Sequence, residues 1–193
     1  MKKDLWSIPN LLCYIRFLLI PVFVVQYIKA EQPGEYMRAA AVVLASGLTD
    51  FLDGFIARTF DMVTEFGKLI DPMADKLTQA ALLFVLIVKI KYMYLLLILF
   101  VVMQLFMLVA GLAMLKKGKR LDGSKWFGKV STTVFYAVML VLVALPKLRQ
   151  TTTNILMLIC GAFLALSFIL YIREYIRMYR ELRQEEKAKI DIV

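Results

Sequence analysis

Four aspartates lie within largely apolar segments of the sequence: Asp50, Asp53, Asp71 and Asp75. The first pair is three residues apart and the second pair is four apart, so on helices each pair would lie on one face. Carboxylate oxygens are hard ligands that suit Mg²⁺ or Mn²⁺. Two helices that each present such a pair across a short turn predict a centre for divalent cations, with enough negative charge for two ions.

These acids lie in apolar segments, where a charged side chain at the centre of a bilayer costs about 2.5 kcal/mol or more. One interpretation is a set of structural ion pairs in which Arg58, Lys68 and Lys76 compensate the acids. We favour a functional site, because ionisable residues inside membrane segments mark sites by default. Gly54 and Gly67 each allow either a ligand or a packed helix to approach the backbone. Arg58 either binds a phosphate group or caps the end of its helix.

The composition points to lipid as the solvent of this chain. Its 193 residues are 61% hydrophobic, with a mean hydropathy of +0.73, whereas a soluble domain is about half apolar. Tyr92 to Leu115 and Gln150 to Ile172 carry no charge, and each exceeds the ~20 residues that cross a hydrocarbon core. Buried core helices of a soluble enzyme are the alternative, but too few polar residues remain to build a polar shell around them.

We predict an all-α integral membrane protein with six transmembrane helices, forming one domain over residues 1–193. The first apolar run is not a cleaved signal peptide, because Arg16 breaks it and no small-residue cleavage site follows. The predicted spans are Leu5–Ile28, Ala39–Ile56, Gly67–Val88, Tyr92–Leu115, Val130–Pro146 and Gln150–Ile172.

Neither histidine nor cysteine chemistry is expected. The chain contains no histidine, which excludes imidazole catalysis and histidine-bound metals. Cys13 and Cys160 fall inside predicted spans, and we expect both thiols to serve ordinary packing rather than a disulfide or a metal site.

Basic residues predict the orientation. With both termini cytosolic, fifteen lysines and arginines lie on the cytosolic side and six on the other side. The acids then face the cytosol, and Tyr171 to Arg183 continues the last span as an amphipathic extension. The net charge of +9 indicates this topology and attraction to anionic lipids of the cell membrane, and nothing else in the sequence supports nucleic-acid binding.

The acids and their neighbours resemble the signature of the CDP-alcohol phosphatidyltransferase family. The chain has D-x2-D-G-x2-A-R-x8-G-x3-D-x3-D from Asp50 to Asp75, and the pattern is matched at every fixed residue. A chance match is on the order of 10⁻¹⁰ per starting residue, given average residue frequencies. The opening "IPNLLCYIRFLLIPVFV" is similar to that of phosphatidylglycerolphosphate and cardiolipin synthases.

The resemblance implies transfer of a phosphatidyl group from a CDP-linked lipid to an alcohol, with release of CMP. It implies that Asp50, Asp53 and Asp71 bind metal ions, and that Asp75 is both a further ligand and the general base. It also implies a homodimer. The residues matching those that contact the CDP-lipid are Gly54, Arg58, Thr64 and Gly67.

The alcohol acceptor is the least determined part of this prediction. Relatives that use glycerol 3-phosphate usually carry an Arg-Glu pair in the fourth span, where this chain has Met103 and Gln104. Arg16 is either an acceptor ligand or a counter-ion to the acids, and Lys125 and Lys129 are candidates to bind an acceptor phosphate. We expect glycerol 3-phosphate first, then phosphatidylglycerol as in cardiolipin synthases, then other polar alcohols.

Three unrelated functions are alternatives. An acid-lined cation transporter would carry acids near mid-membrane in two repeated halves, whereas this chain has one cluster toward one face. A membrane prenyltransferase would present two Asp-rich motifs on separate repeats. A structural membrane protein would leave the acids unexplained.

Overall fold

The structure is a computed structural model that describes residues 7–60, 62, 64, 67–118 and 125–190, with the backbone alone for residues 58, 68, 69 and 185–190. Within these residues the chain forms six helices, which confirms the all-α prediction. They are α1 (Ile8–Lys29), α2 (Pro33–Thr59), α3 (Gly67–Ile87), α4 (Met93–Lys116), α5 (Trp126–Ala144) and α6 (Gln150–Ile190).

Five of these six helices, namely α1, α2, α4, α5 and α6, are long and apolar enough to cross a membrane. The third, α3, corresponds to the predicted third span and has 21 residues, but Asp71, Asp75 and Lys76 lie in its first half. The sequence prediction of a multi-pass membrane protein is therefore supported by five helices, and the sixth span stays a prediction.

Local signals explain where several helices begin and end. Helix α2 begins at Pro33, earlier than predicted, because Gln32 and the Glu35 carboxylate form a capping box that satisfies backbone N–H groups of the first turn. Helix α4 ends at Lys116, and Gly118 follows with a φ of 76°, a left-handed conformation that glycine adopts without strain.

The backbone divides into two compact units. Unit 1 comprises Met1–Tyr94 and Tyr136–Thr153, and unit 2 comprises Leu95–Phe135 and Asn154–Val193. Unit 1 therefore holds α1, α2, α3 and the second half of α5. The prediction of a single domain stays a prediction.

Unit 1 is held by an apolar centre and by a lysine at one end. Leu82, Leu83 and Leu86 of α3 are fully buried. Beyond the end of α3, the Lys89 ammonium donates to the carbonyl oxygens of Tyr27 and Ala30, at 3.2 and 2.8 Å. This contact joins the end of α1 to the end of α3.

In unit 2, α4 and α6 run parallel. Residue numbers increase in the same direction along both helices, because Leu96 contacts Gly161 and, further along, the Phe106 and Tyr175 ring centroids are 5.8 Å apart. Past the end of α4, the Lys117 ammonium lies 4.8 Å from the centroid of the Tyr179 ring. Helix α6 then continues without a break to Ile190, which confirms the predicted helical extension.

Candidate active site

The first acid pair of the predicted site faces a buried arginine. Arg16, on α1, is 1% exposed, and its guanidinium lies 2.9 Å from Asp50 Oδ1 and donates a hydrogen bond to Asp53 Oδ2. Asp53 is 3% exposed, whereas the Asp50 side chain is 51% exposed. Of the two alternatives for Arg16, acceptor ligand and counter-ion, these contacts are those of a counter-ion.

The second helix of the acid pattern meets the first around a thiol. Cys13 Sγ donates to Asp71 Oδ1 and lies 3.5 Å from Asp53 Oδ2. One ligand atom from each of the three residues lies within 4.8 Å of the other two. Because Asp53 comes from α2 and Asp71 from α3, the structure brings the two predicted acid pairs together.

The second acid of α3 is held by two donors. The Tyr136 hydroxyl donates to Asp75 Oδ1 at 2.7 Å, and Gln79 Nε2 donates to Asp75 Oδ2 at 3.2 Å. Lys76 Nζ in turn lies 3.4 Å from Gln79 Oε1. Each carboxylate oxygen of Asp75 thus has one fixed donor, which orients the group.

The two predicted lipid-binding residues nearest α3 are tied to the start of α1. The Gly67 amide donates to Thr64 Oγ1 at 2.9 Å, and Asn10 Nδ2 donates to the same oxygen at 3.2 Å. A Cβ on Gly67 would lie only 2.8 Å from Asn10 Oδ1, closer than a methyl group allows. A side chain at residue 67 would therefore displace the Asn10 side chain of α1 from its contacts with Thr64.

The other predicted site residues have different surroundings. Gly54 is half-buried directly after Asp53, while the side chain of Arg58 lies outside the described residues. Lys125 and Lys129 belong to unit 2, where Lys125 Nζ forms an ion pair with Glu174 Oε1 at 2.8 Å and Lys129 is exposed. The described contacts of Lys125, with Glu174 and with Tyr171, thus lie within its own unit.

The alternative interpretation, in which Arg58, Lys68 and Lys76 compensate the acids, can be compared with the structure only at Lys76. Among the described side chains, the cation in contact with the acids is Arg16, while Lys76 contacts Gln79. The side chains of Arg58 and Lys68 lie outside the described residues. Lys76 interacts electrostatically with Asp75, but its described hydrogen bond is to Gln79 rather than to the carboxylate.

The donor set fits a hard divalent cation. Asp50 is close enough to Asp71 and Asp75 for electrostatic repulsion, and Asp53 is close enough to Asp71, so the four carboxylates repel one another. One guanidinium balances part of this charge, and Mg²⁺ or Mn²⁺ would balance the rest through oxygen ligands. The Cys13 thiol is a soft group that these ions do not favour, which makes it a hydrogen-bond donor here rather than a ligand.

The sequence did not identify four residues that contact the predicted site: Asn10, Cys13, Gln79 and Tyr136. The packing role expected for Cys13 is incomplete, because the buried thiol also binds two carboxylates. Two sequence signals were available: Asn10, Cys13 and Arg16 recur every third residue, which aligns them on one side of α1, and Gln79 lies one turn beyond Asp75. Tyr136 has no such signal, because 61 residues separate it from Asp75.

Comparison with known proteins agrees with this site. The family described as CDP-alcohol phosphatidyltransferase matches residues 6–171, a range that includes every aspartate of the cluster. The chain therefore belongs to the CDP-alcohol phosphatidyltransferase family, as the aspartate motif indicates.

Individual relatives match shorter segments. Proteins named CDP-diacylglycerol–glycerol-3-phosphate 3-phosphatidyltransferase are 40% identical over 83 residues in Rickettsia felis and 41% identical over 81 residues in Pseudomonas fluorescens. These segments cover 43% and 42% of this chain and 45% and 41% of the relatives. A Schizosaccharomyces pombe protein named cardiolipin synthase (CMP-forming) / mitochondrial hydrolase fusion protein is 37% identical over 90 residues, 46% of this chain and 14% of that protein. The chain thus matches less than half the length of these relatives.

Proposed function

We propose that this protein transfers the phosphatidyl group of CDP-diacylglycerol to an alcohol and releases CMP. The observation that carries the proposal is the meeting of Asp53 of α2 and Asp71 of α3 around Cys13, within the family's aspartate motif. A convergence of acids from two membrane helices needs positive charge from a ligand, and a metal-bound pyrophosphate meets that need.

The acceptor that we propose is glycerol 3-phosphate, so that the product is phosphatidylglycerol phosphate. The relatives from Rickettsia felis and Pseudomonas fluorescens support it, since their names specify this acceptor. Phosphatidylglycerol, giving cardiolipin, is the second candidate. It is favoured by the similarity to a cardiolipin synthase and by the absence of charge in α4 before Lys116.

The metal residues in this proposal are Asp50, Asp53, Asp71 and Asp75, and we propose two ions of Mg²⁺ or Mn²⁺. Bound there, such ions supply charge neutralisation of the pyrophosphate and polarisation of its phosphorus. Arg16, paired with Asp50 and Asp53, holds the first carboxylates at the cluster and limits their mutual repulsion.

Asp75 is the proposed general base. It takes the proton of the acceptor hydroxyl while the acceptor oxygen forms its bond to the β-phosphorus, which carries the diacylglycerol, and the bond from this phosphorus to the oxygen of CMP breaks. The electron pair of the broken bond leaves on CMP. Tyr136 and Gln79 hold the two oxygens of Asp75 and so fix the direction in which it accepts the proton.

For the donor, the proposed contacts are Gly54, Arg58, Thr64 and Gly67. Gly54 leaves the backbone open to the CDP group. Gly67 acts through Thr64, which is oriented by its bonds to Asn10 and Gly67. Arg58 would pair with a phosphate of the donor. Acceptor contacts are proposed for Lys125 and Lys129, while Arg16, the third candidate from the sequence, keeps the counter-ion role that its contacts with Asp50 and Asp53 indicate.

We place the protein in the cell membrane as a homodimer of six-span subunits, with both termini and the acid cluster on the cytosolic side and with anionic lipids around it. The positive-inside distribution of basic residues supports this orientation. In unit 2 the end of α4 and the extension of α6 lie together, as expected if both are on one side of the membrane.

The test is an assay of purified protein with radiolabelled CDP-diacylglycerol and Mg²⁺ or Mn²⁺. Glycerol 3-phosphate, phosphatidylglycerol, inositol phosphate and serine are supplied one at a time, and labelled lipid and CMP are measured. We expect CMP release with glycerol 3-phosphate and none with Asp75→Asn. Transfer to phosphatidylglycerol alone would show that phosphatidylglycerol, and not glycerol 3-phosphate, is the acceptor. If no alcohol led to release of CMP, the proposed transferase function would be overturned.

A further inference from the structure

A groove of about 560 Å³ lies within unit 2, beside the parallel helices α4 and α6, which is within the ~300–1,000 Å³ of ligand pockets. Its apolar lining is contributed by both helices, and Arg180 and Arg183 lie at its far end. The full lining is Phe106, Ala110, Met114, Tyr175, Ile176, Tyr179, Arg180, Arg183 and Gln184.

The groove has a firm apolar floor. Met114 and Tyr175 are 6% and 7% exposed and belong to one buried cluster, against which Phe106 and Ala110 also pack. On its open side, Ile176 and Tyr179 are 46% exposed. A surface of this kind in contact with lipid accepts acyl chains without loss of packing in the floor.

The polar end of the groove lies where α4 stops and α6 goes on. Helix α4 has 24 residues and α6 has 41, and at ~1.5 Å per residue α6 is roughly twice as long as a ~30 Å hydrocarbon core is thick. Lys117, just past the end of α4, stacks on the Tyr179 ring. Tyrosine and basic side chains of this type gather at the level of lipid headgroups.

The charge at this end is positive. Arg180 and Arg183 are three residues apart on one face of α6, with Lys117 beside them, and no acid is among the described residues that line the groove. The neighbouring acid, Glu181, points elsewhere and pairs with Arg177 at 2.9 Å. Basic pockets between transmembrane helices are known to bind anionic headgroups.

We propose that this groove is a binding site for one anionic phospholipid of the surrounding membrane, separate from the aspartate cluster. Its acyl chain lies along Phe106, Ala110 and Ile176, and its phosphodiester is held by Arg180 and Arg183. The bound lipid fixes α6 against α4 at the membrane surface. This site does not depend on the proposed transfer reaction, because none of its residues belongs to the aspartate cluster.

The experiment is native mass spectrometry of the full chain in detergent, titrated with phosphatidylglycerol or zwitterionic phosphatidylcholine, with bound lipids and subunit number read from the same spectra. We expect one phosphatidylglycerol to bind tightly. In Arg180→Gln/Arg183→Gln its affinity falls roughly 10- to 30-fold. The matched control Arg173→Gln/Arg177→Gln removes the same charge from the same extension outside the groove, and it keeps the affinity within about twofold.

A second pair of variants tests the groove without changing charge. Ala110→Phe fills the groove and is expected to displace the lipid, whereas Ala113→Phe, exposed on another face of α4, keeps it. Unchanged affinity in both Arg180→Gln/Arg183→Gln and Ala110→Phe overturns the proposal, as does equal binding of phosphatidylcholine.

Two further outcomes assign the groove or the lipid elsewhere. Variants that separate subunits without changing lipid binding make the groove an interface between two copies of the chain. Loss of the lipid in Asp71→Asn places the lipid at the aspartate cluster. That result would overturn the groove proposal and leave the proposed transferase function standing.

Discussion

The two ends of unit 1 join the same three helices with polar contacts, but they balance their charges differently. At one end, Lys89 lies among groups of α1 and α2. At the other end, Arg16 of α1 faces aspartates of α2, and Cys13 links them to Asp71 of α3. We call these the lysine end and the aspartate end.

At the lysine end every donor of the cation is used. The Lys89 ammonium has three N–H groups. They bind Tyr27 O at 3.2 Å, Ala30 O at 2.8 Å and the Tyr36 hydroxyl at 2.6 Å, and the same ammonium lies 4.5 Å from the centroid of the Tyr36 ring. Because each N–H group of Lys89 already has an acceptor within the protein, none remains for a ligand. We therefore interpret this end as structural.

At the aspartate end, charge is left over. Four carboxylates act on one another, and among the described side chains Arg16 is the cation that touches them. Leaving negative charge uncompensated inside a membrane protein is costly unless a ligand supplies the balance. Both ends contain buried charge, but only at the aspartate end is that charge left unbalanced by the described side chains, so this end is the candidate for function.

The largest effect is expected from Asp71→Asn, which removes one charge from the aspartate end. Because Asp71 meets Asp53 across Cys13, its loss should weaken metal binding and reduce turnover by at least the ~10²–10³-fold that one electrostatic stabiliser supplies. Mn²⁺ binding measured by electron paramagnetic resonance and CMP release report the two effects. The matched acid Glu181→Gln, which removes an exposed carboxylate of α6, should change neither. Near-normal turnover in Asp71→Asn would contradict the role of the aspartate end.

A smaller effect is expected when the orientation of an acid changes but its charge does not. Tyr136→Phe removes the donor to Asp75 Oδ1, and a hydrogen bond to a charged group is worth about 1.5–3 kcal/mol. We expect kcat to fall roughly 10- to 100-fold, with KM for the donor little changed. Tyr94→Phe, at a side chain that is 48% exposed, is the control. A change in donor KM alone would show that Tyr136 does not act through Asp75.

A third test perturbs the packing of Asn10 and Thr64 against Gly67 at the aspartate end. In Gly67→Ala the new methyl group meets Asn10 Oδ1 at 2.8 Å and Thr64 Oγ1 at 3.0 Å. Such overpacking costs about 1–3 kcal/mol, and we expect a several-fold rise in KM for CDP-diacylglycerol. Gly47→Ala is the matched control, because a Cβ there meets nothing within 4 Å.

A rescue variant separates steric strain from other causes. Asn10→Ala in the Gly67→Ala background removes the nearest obstacle, so part of the donor affinity should return. If the double variant binds the donor no better than Gly67→Ala, the contact with Asn10 is not the reason for the defect.

The contrast between the two ends also marks how far the sequence could be interpreted. The aspartates were predictable because their spacing is local to two helices and follows helical periodicity. The sequence left two roles open for Arg16, acceptor ligand and counter-ion, because its partner Asp53 lies 37 residues further along the chain. The Asp75–Tyr136 contact and the three bonds of Lys89 depend on packing between distant segments, which no local pattern encodes.

The smallest effect on catalysis is expected at the lysine end. Lys89→Met keeps most of the side-chain volume but leaves the carbonyls of Tyr27 and Ala30 without their shared donor. We expect a loss of about 1.5–3 kcal/mol in the free energy of unfolding, seen as a lower midpoint of thermal unfolding in detergent, because hydrogen bonds from a charged group contribute on that scale. Lys91→Met is the matched control and should unfold like the wild type, because the Lys91 ammonium contacts only the neighbouring Tyr92 ring among the described contacts.

Turnover of the folded fraction should stay within about twofold of the wild type in both variants, measured below the unfolding transition. If Lys89→Met instead abolishes turnover while its unfolding midpoint is unchanged, the division into a structural end and a functional end is wrong, because the fully paired cation would then be needed for the reaction itself.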